Sequence, residues 1–221
     1  MWDLNDMKCV QSIDLSKNSL RLFSYLITDI CCKHNVLTLC TEMGDIAQIK
    51  VETNSTTIRR MEGIDSVKGS IRALAMVHMD FPCIIVGGES GYVYMYDILN
   101  HYLVHSWKIG QYISALAAIY INRNIILSVA TINGAIIFYE NYDELPRESK
   151  CSDRSIYDLS FSPDGQFVSA ACADRCIYLY QFKDGSYMSY GKRTYNCQQT
   201  REGSTSFNII FIRFFTTSHF Y

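Results

Sequence analysis

No uninterrupted apolar run in this chain approaches the roughly 18 residues that a membrane-spanning helix needs. The first ten residues, MWDLNDMKCV, carry acidic side chains and lack the apolar segment of a secretory signal. Both absences predict an intracellular, cytoplasmic protein with no membrane partner. An excess of one charge sign is also missing, since the net charge is −2 over 221 residues, so the chain as a whole is not drawn to polyanions. The one uneven stretch starts at Lys183: five basic residues face two acidic ones from there on, +3, which leaves −5 before it. These basic residues are scattered as in a solvated loop, and no nucleic-acid partner is expected. Apolar spacing of three and four, the mark of helical repeats, is absent too.

What is present is ample core material. The chain is 48% hydrophobic and 19% charged, which suits one domain or a large piece of one and argues against disorder. Its nine cysteines are an odd number, and Cys40, Cys83 and Cys172 sit inside apolar runs, where a reduced cysteine behaves as a small hydrophobe. They are expected to be buried thiols. The Asn-Ser-Thr at Asn54 reads as a loop.

One design recurs: LTLCTEMGDIAQIKV, IIVGGESGYVYMYDI, ILSVATINGAIIFYE and VSAACADRCIYLYQF each place a small polar turn between two apolar runs. Trp2, Ile49, Tyr96, Tyr139 and Tyr180 share a column at spacings of 47, 47, 43 and 41, and the next column reads Asp3, Lys50, Asp97, Glu140, Gln181. Upstream, Ile30, Leu74, Leu116 and Leu159 recur at 44, 42 and 43, marking the first strand of each unit. A period in the low to middle forties, with several short β-branched and aromatic strands per unit, predicts repeated antiparallel sheets. The continuous runs YVYMY and CIYLYQF suit strands packed on both faces, so their tyrosines read as core rather than as a base-stacking platform.

On these residues the chain resembles a WD-repeat β-propeller, with Trp2–Leu4 in the family's signature position and SPDG at Ser162–Gly165 in its first-to-second-strand turn. The resemblance implies an all-β propeller with four blades near 14–62, 63–110, 111–150 and 151–190. Residues 1–13 would end a preceding blade, and 191–221 would begin a further blade or form an atypical tail. Four blades and two stubs do not close comfortably, so an incomplete ring is expected, part of a longer, tandem propeller that needs further blades or a partner. No blade keeps the family's Gly-His pair, and only Asp174 supplies its turn aspartate, so the family's hydrogen-bonded network is expected to be broken and packing to carry more of the stability.

The stretch from Ser155 to Lys192 is, more narrowly, similar to blades of the echinoderm microtubule-associated protein-like family. That likeness implies tubulin or microtubules as partners and a cytoskeletal or ciliary location. The wider family implies a non-enzymatic protein-interaction scaffold or, alternatively, an adaptor recruiting substrates to an enzyme complex such as a ubiquitin ligase.

Candidate chemistry reduces to packing. Cys31–Asn35, CCKHN, lacks further zinc ligands at suitable spacing, Cys172 and Cys176 being the only other near pair. His101 and His105 flank a strand, and no Ser/His/Asp or paired-carboxylate set recurs. VGGESG, Val86–Gly91, lacks the Lys-Ser/Thr ending of a phosphate loop. No catalytic group, metal or cofactor is expected. The propeller's loops are the expected binding elements: Glu89, Asn133, Asp174 and Arg175 in second-to-third-strand turns, and Lys68, Arg72, Asp153 and Arg154 before first strands, all on one face. Lys192 and Arg193 join them for an acidic surface such as tubulin's.

Overall fold

The structure is a computed structural model that describes residues 2–3, 8–9, 26–33, 36–51, 56–61, 69–100, 102–142, 146–183 and 186–194. Lys68, His34, Asn35, Asn54, His101, Arg201 and the C-terminal stretch TSFNIIFIRFF lie outside these residues.

The described chain is all strand and turn. A short hairpin comes first, β1 (Trp2–Asp3) paired with β2 (Lys8–Cys9). Four four-stranded antiparallel meanders follow. The first holds β3 (Ile27–Lys33), β4 (Val36–Thr41), β5 (Ile46–Val51) and β6 (Thr56–Arg60). The second holds β7 (Ile71–His78), β8 (Pro82–Gly88), β9 (Tyr92–Asp97) and β10 (Tyr102–Lys108). The third holds β11 (Ile113–Ile121), β12 (Asn124–Thr131), β13 (Ala135–Glu140) and β14 (Arg147–Lys150). The fourth holds β15 (Ile156–Phe161), β16 (Phe167–Cys172), β17 (Cys176–Lys183) and β18 (Ser186–Thr194).

The apolar runs become strands because each sheet is covered on two faces. In β8, Cys83 and Ile85 belong to the core shared with the third sheet, while Ile84 and Val86 belong to the core shared with the first. A two-residue period with both faces apolar is the reason the run reads as continuous. A third core joins the last two sheets, where Phe138 meets Tyr180 at 5.8 Å and stacks on Tyr187 at 4.9 Å between ring centroids. The third-strand column is buried in every sheet, at Ile49, Tyr96, Tyr139 and Tyr180. Each such side chain contributes about 1.5–3 kcal/mol by leaving water. Tyr92, Tyr94 and Tyr96 lie ring beside ring along β9, Tyr96 within the core and Tyr94 packed against it.

The innermost strands β3, β7, β11 and β15 neighbour one another. All four carry the same irregularity: the ladder slips between Ile27 and Asp29, Ile71 and Ala73, Ile113 and Ala115, and Ile156 and Asp158. One residue per sheet, Thr28, Arg72, Ser114 or Tyr157, is left outside the ladder, as in a β-bulge. No sheet closes the arc among the described residues, and none of these residues forms a helix long and apolar enough to cross a membrane.

In the fourth sheet the SPDG turn is tied by its own side chains. The Ser162 hydroxyl donates to Asp164 at 2.6 Å, Asp164 accepts the Gln166 amide at 3.0 Å, and Ser162 Oγ accepts the Phe167 amide at 2.9 Å. Gly165 has φ +68°, a conformation that favours glycine, and a Cβ there would only have to displace the Cδ1 tip of Ile121 of the third sheet, 2.6 Å away.

Candidate functional site

Antiparallel meanders put the loop before the first strand and the turn between second and third strands at the same end of each sheet. One hydrogen bond joins the two in all four. Glu42 donates its amide to the Leu26 carbonyl, Glu89 to Ser70, Ile132 to Tyr112 and Ala173 to Ser155, at 2.8 to 3.1 Å. The turns share a second bond, from Gly44 to Thr41, Gly91 to Gly88, Gly134 to Thr131 and Arg175 to Cys172. The donor residue has positive φ each time: 88°, 71°, 79° and 65°. Glycine takes that conformation freely, and an arginine does not.

The loops meant to carry binding residues are therefore pinned to the sheets and gathered at one end. Glu89, Asn133, Asp153, Arg154 and Arg175 are exposed there. The structure also pairs several of them off. Arg72 reaches Glu89 with Nη2 at 3.7 Å from Oε1. Asp153 pairs with Lys150, which holds its carboxyl below the usual range. Arg154 and Arg175 make no ion pair among the described residues.

Asp174 and Lys192 are drawn together by the register that sets Tyr178 opposite Lys192. The Tyr178 hydroxyl donates to Asp174 Oδ2 at 2.6 Å, Lys192 Nζ stands 3.6 Å from the same oxygen, and it lies 4.9 Å from the Tyr178 ring centroid. Partial burial pushes the Asp174 carboxyl up, but the hydrogen bonds from Tyr178 and the Cys176 amide, with the Lys192 charge, hold it net below the usual range. Contact with Tyr178 raises the Lys192 ammonium. In place of the family's histidine partner, this turn aspartate uses a tyrosine and a lysine from its own sheet. Arg193, one residue on, is exposed and pairs by backbone with Ile177.

Arg72, expected in the loop before a first strand, is the second residue of inner strand β7, and sequence reasoning named no other inner-strand residue as a candidate. The bulged residues of the inner strands sit two positions before the recurring Ile30, Leu74, Leu116 and Leu159, a column open to inspection. They border a trough of about 710 Å³ running along β3, β7, β11 and β15. Thr28 Oγ1 donates to the Ile71 carbonyl at 2.6 Å, and Asp29 accepts the Ile30 and Leu74 amides, both at 2.7 Å. The bonds to the Ile71 carbonyl and from the Leu74 amide stitch the first sheet to the second. Arg72 Nε, Ser70 Oγ and Ser114 Oγ are buried and have no hydrogen-bond partner among the described residues.

The remaining motifs serve packing. Cys31 and Cys32 lie on β3, and the described residues hold no cluster of three or more metal-ligating side chains. His105 sits against Trp107 at 4.6 Å and Tyr142 at 5.0 Å between ring centroids on the outer strand of the second sheet. Val86–Gly91 ends β8 and turns into β9, and a Cβ on Gly88 would collide with the Ser70 carbonyl at 2.0 Å. Cys31, Cys32, Cys40, Cys83, Cys151, Cys172 and Cys176 are free thiols, Cys40, Cys83, Cys172 and Cys176 being buried. Burial pushes Cys40 and Cys83 up to about 12 and Cys151 up to about 11, so their reactive thiolates are scarce at neutral pH.

Residues 145–181 match the family described as WD domain, G-beta repeat. The match runs from β14, the outer strand of the third sheet, through β15 and β16 to Gln181 on β17. Together with the four antiparallel sheets it supports a WD-repeat β-propeller, present here as an open arc. WD repeats generally mediate protein–protein interaction and are typically non-enzymatic, so a protein-interaction scaffold is the general class these findings support.

Proposed function

We propose that the chain is a non-enzymatic scaffold of the cytoplasm whose partners dock on the loop end of the arc. The observation that carries this is the amide bond repeated in all four sheets between turn and entry loop. It holds variable side chains on a rigid base, which limits the entropy lost when a partner binds. Arg154 and Arg175, exposed and without an ion pair among the described residues, are the anchors proposed for a protein surface. Affinity capture with mass spectrometry tests the reading. Wild type and a variant with Arg154→Ser and Arg175→Ser are expected to melt alike while the variant loses specific partners; an unchanged set of partners rejects the loop end.

The more specific reading is a microtubule-associated scaffold, supported by the sequence similarity of the fourth unit and by the basic excess after Lys183. Lys192 is shared with Asp174 and Tyr178, so Lys183 and Arg193, both exposed and free of that network, are the charges that test attraction to acidic tubulin without disturbing Asp174. Such attraction is screened over about 8 Å at physiological ionic strength. Co-sedimentation with microtubules is expected at low salt, and Lys183→Glu with Arg193→Glu should weaken it several-fold. Binding unaffected by both changes rejects the patch. Capture of ubiquitin-ligase subunits instead would favour the adaptor reading.

A further inference from the structure

We propose that the mouth of the trough between the second and third sheets binds the carboxylate of an acidic side chain on a partner protein, with Arg72 and Ser114 as donors and Glu89 as an internal competitor. This rests on the scaffold reading and adds the chemistry that one site would select.

Arg72 and Ser114 hold the same structural position in adjacent sheets. Each is the residue its inner strand leaves out of the ladder, and each lines the trough. Arg72 Nε and Ser114 Oγ are buried from solvent, and neither has a hydrogen-bond partner among the described residues; Ser70 Oγ, two residues before Arg72, is in the same condition. A guanidinium nitrogen can only donate. A buried donor left without an acceptor forfeits its hydration for no bond in return, so such groups rarely persist without one. Arg72 and Ser114, both on the trough lining, are the donors in this condition that an oxygen ligand entering the trough could meet.

A carboxylate suits it better than a neutral carbonyl. Hydrogen bonds between ions are roughly twice as strong as neutral ones, and the edge of an arginine formed by Nε and one terminal nitrogen matches two carboxylate oxygens. Glu89 already approaches that edge incompletely: Oε1 is 3.7 Å from Nη2, beyond hydrogen-bonding distance, and Nε stays unmet. Side-chain exposures of 37% and 46% make this ion pair weak and easily exchanged. An incoming carboxylate takes the place of Glu89 on Arg72, so no additional anion has to approach the acidic groups nearby. Of those, Asp29 is already engaged by the amides of Ile30 and Leu74. The other two bulge positions offer less. The Thr28 hydroxyl is used by the Ile71 carbonyl, and Tyr157 is 38% exposed at the end of the arc.

The test uses the full chain, a fluorescein-labelled hexaglutamate peptide and its hexaglutamine counterpart, read by fluorescence anisotropy. Hexaglutamate should bind about tenfold more tightly than hexaglutamine, the equivalent of 1.4 kcal/mol. Arg72→Lys keeps the charge but loses the Nε donor, and should weaken hexaglutamate about tenfold; Ser114→Ala should weaken it several-fold. Glu89→Gln should strengthen binding several-fold, a gain that a damaged fold cannot give. Equal binding of the two peptides, or no gain with Glu89→Gln, overturns the proposal. If captured partners stay with the Arg72→Lys variant while hexaglutamate binding is insensitive to it, the carboxylate site fails and the scaffold reading stands. If wild type captures no specific partner yet binds hexaglutamate as described, the scaffold reading fails and the site stands.

Discussion

Arg175 shows how one side chain can be held against its own preference. Its counterparts in the other sheets are Gly44, Gly91 and Gly134, and all four donate the same bond at positive φ. In the third sheet a Cβ at Gly134 would lie 2.2 Å from the Ser152 carbonyl, so only glycine fits there. An arginine at φ 65° carries roughly 1–2 kcal/mol of strain. Glycine's greater freedom in the unfolded chain, about 0.5–1 kcal/mol, offsets part of any relief. Arg175→Gly is therefore expected to stabilise the protein by up to about 1 kcal/mol and raise Tm by about 2–4 °C, followed by circular dichroism. A lower Tm would mean that contacts of the side chain outweigh the strain. The arginine hides a column that reads as glycine elsewhere, which is why the turn's special conformation was not legible at this position. The inner-strand bulge was equally hidden, because Thr28, Arg72, Ser114 and Tyr157 share no chemistry. Only their offset from Leu74, Leu116 and Leu159, which were read correctly as recurring, marks them.

The turn, third strand and outer strand of the fourth sheet are tied by Asp174, Tyr178 and Lys192. Asp174 has its carboxyl held below the usual range, so its contribution to stability is complete above the ordinary aspartate pKa, about 3.9. It is lost as pH falls through that value and below. Asp174→Asn should cost about 1–3 kcal/mol near neutrality, mostly through the hydrogen bond from Tyr178. The exposed Lys192 adds little. The gap in Tm between variant and wild type should close as pH drops from 7 toward 3; a gap constant with pH would remove the charge of Asp174 from the account. The sequence pattern anticipated that packing would have to replace the family's network here. The pattern put Tyr180 in the core between sheets, where it is buried against Phe138. It did not anticipate the substitute network, because Lys192 meets Tyr178 only through strand register, and register is set by side chains far apart in the sequence.

Over the whole arc, stability follows coverage. The second and third sheets each lie between two described neighbours, and Ile84, Ile85, Leu127 and Val129 are fully buried. At the two ends coverage thins. Ile27 and Ile30 are exposed on β3, β17 alternates buried Tyr178 and Tyr180 with half-buried Ile177 and Leu179, and Met188 and Tyr190 are exposed on β18. Hydrogen exchange followed by mass spectrometry should show β8 and β12 protected longest, with β3 and β18 exchanging first. Uniform protection across the four sheets would require cover for the end sheets that their exposed residues do not suggest. The period of 41 to 47 residues made the stacked sheets legible, whereas the line between one repeat and the next was not. The matched repeat begins on the outer strand of one sheet and ends on the third strand of another. A gene segment cut at that phase could be excised or duplicated without leaving a partial sheet. Its neighbours would rejoin as a hybrid of three strands from one side and an outer strand from the other, and the arc would shorten or lengthen by one whole unit.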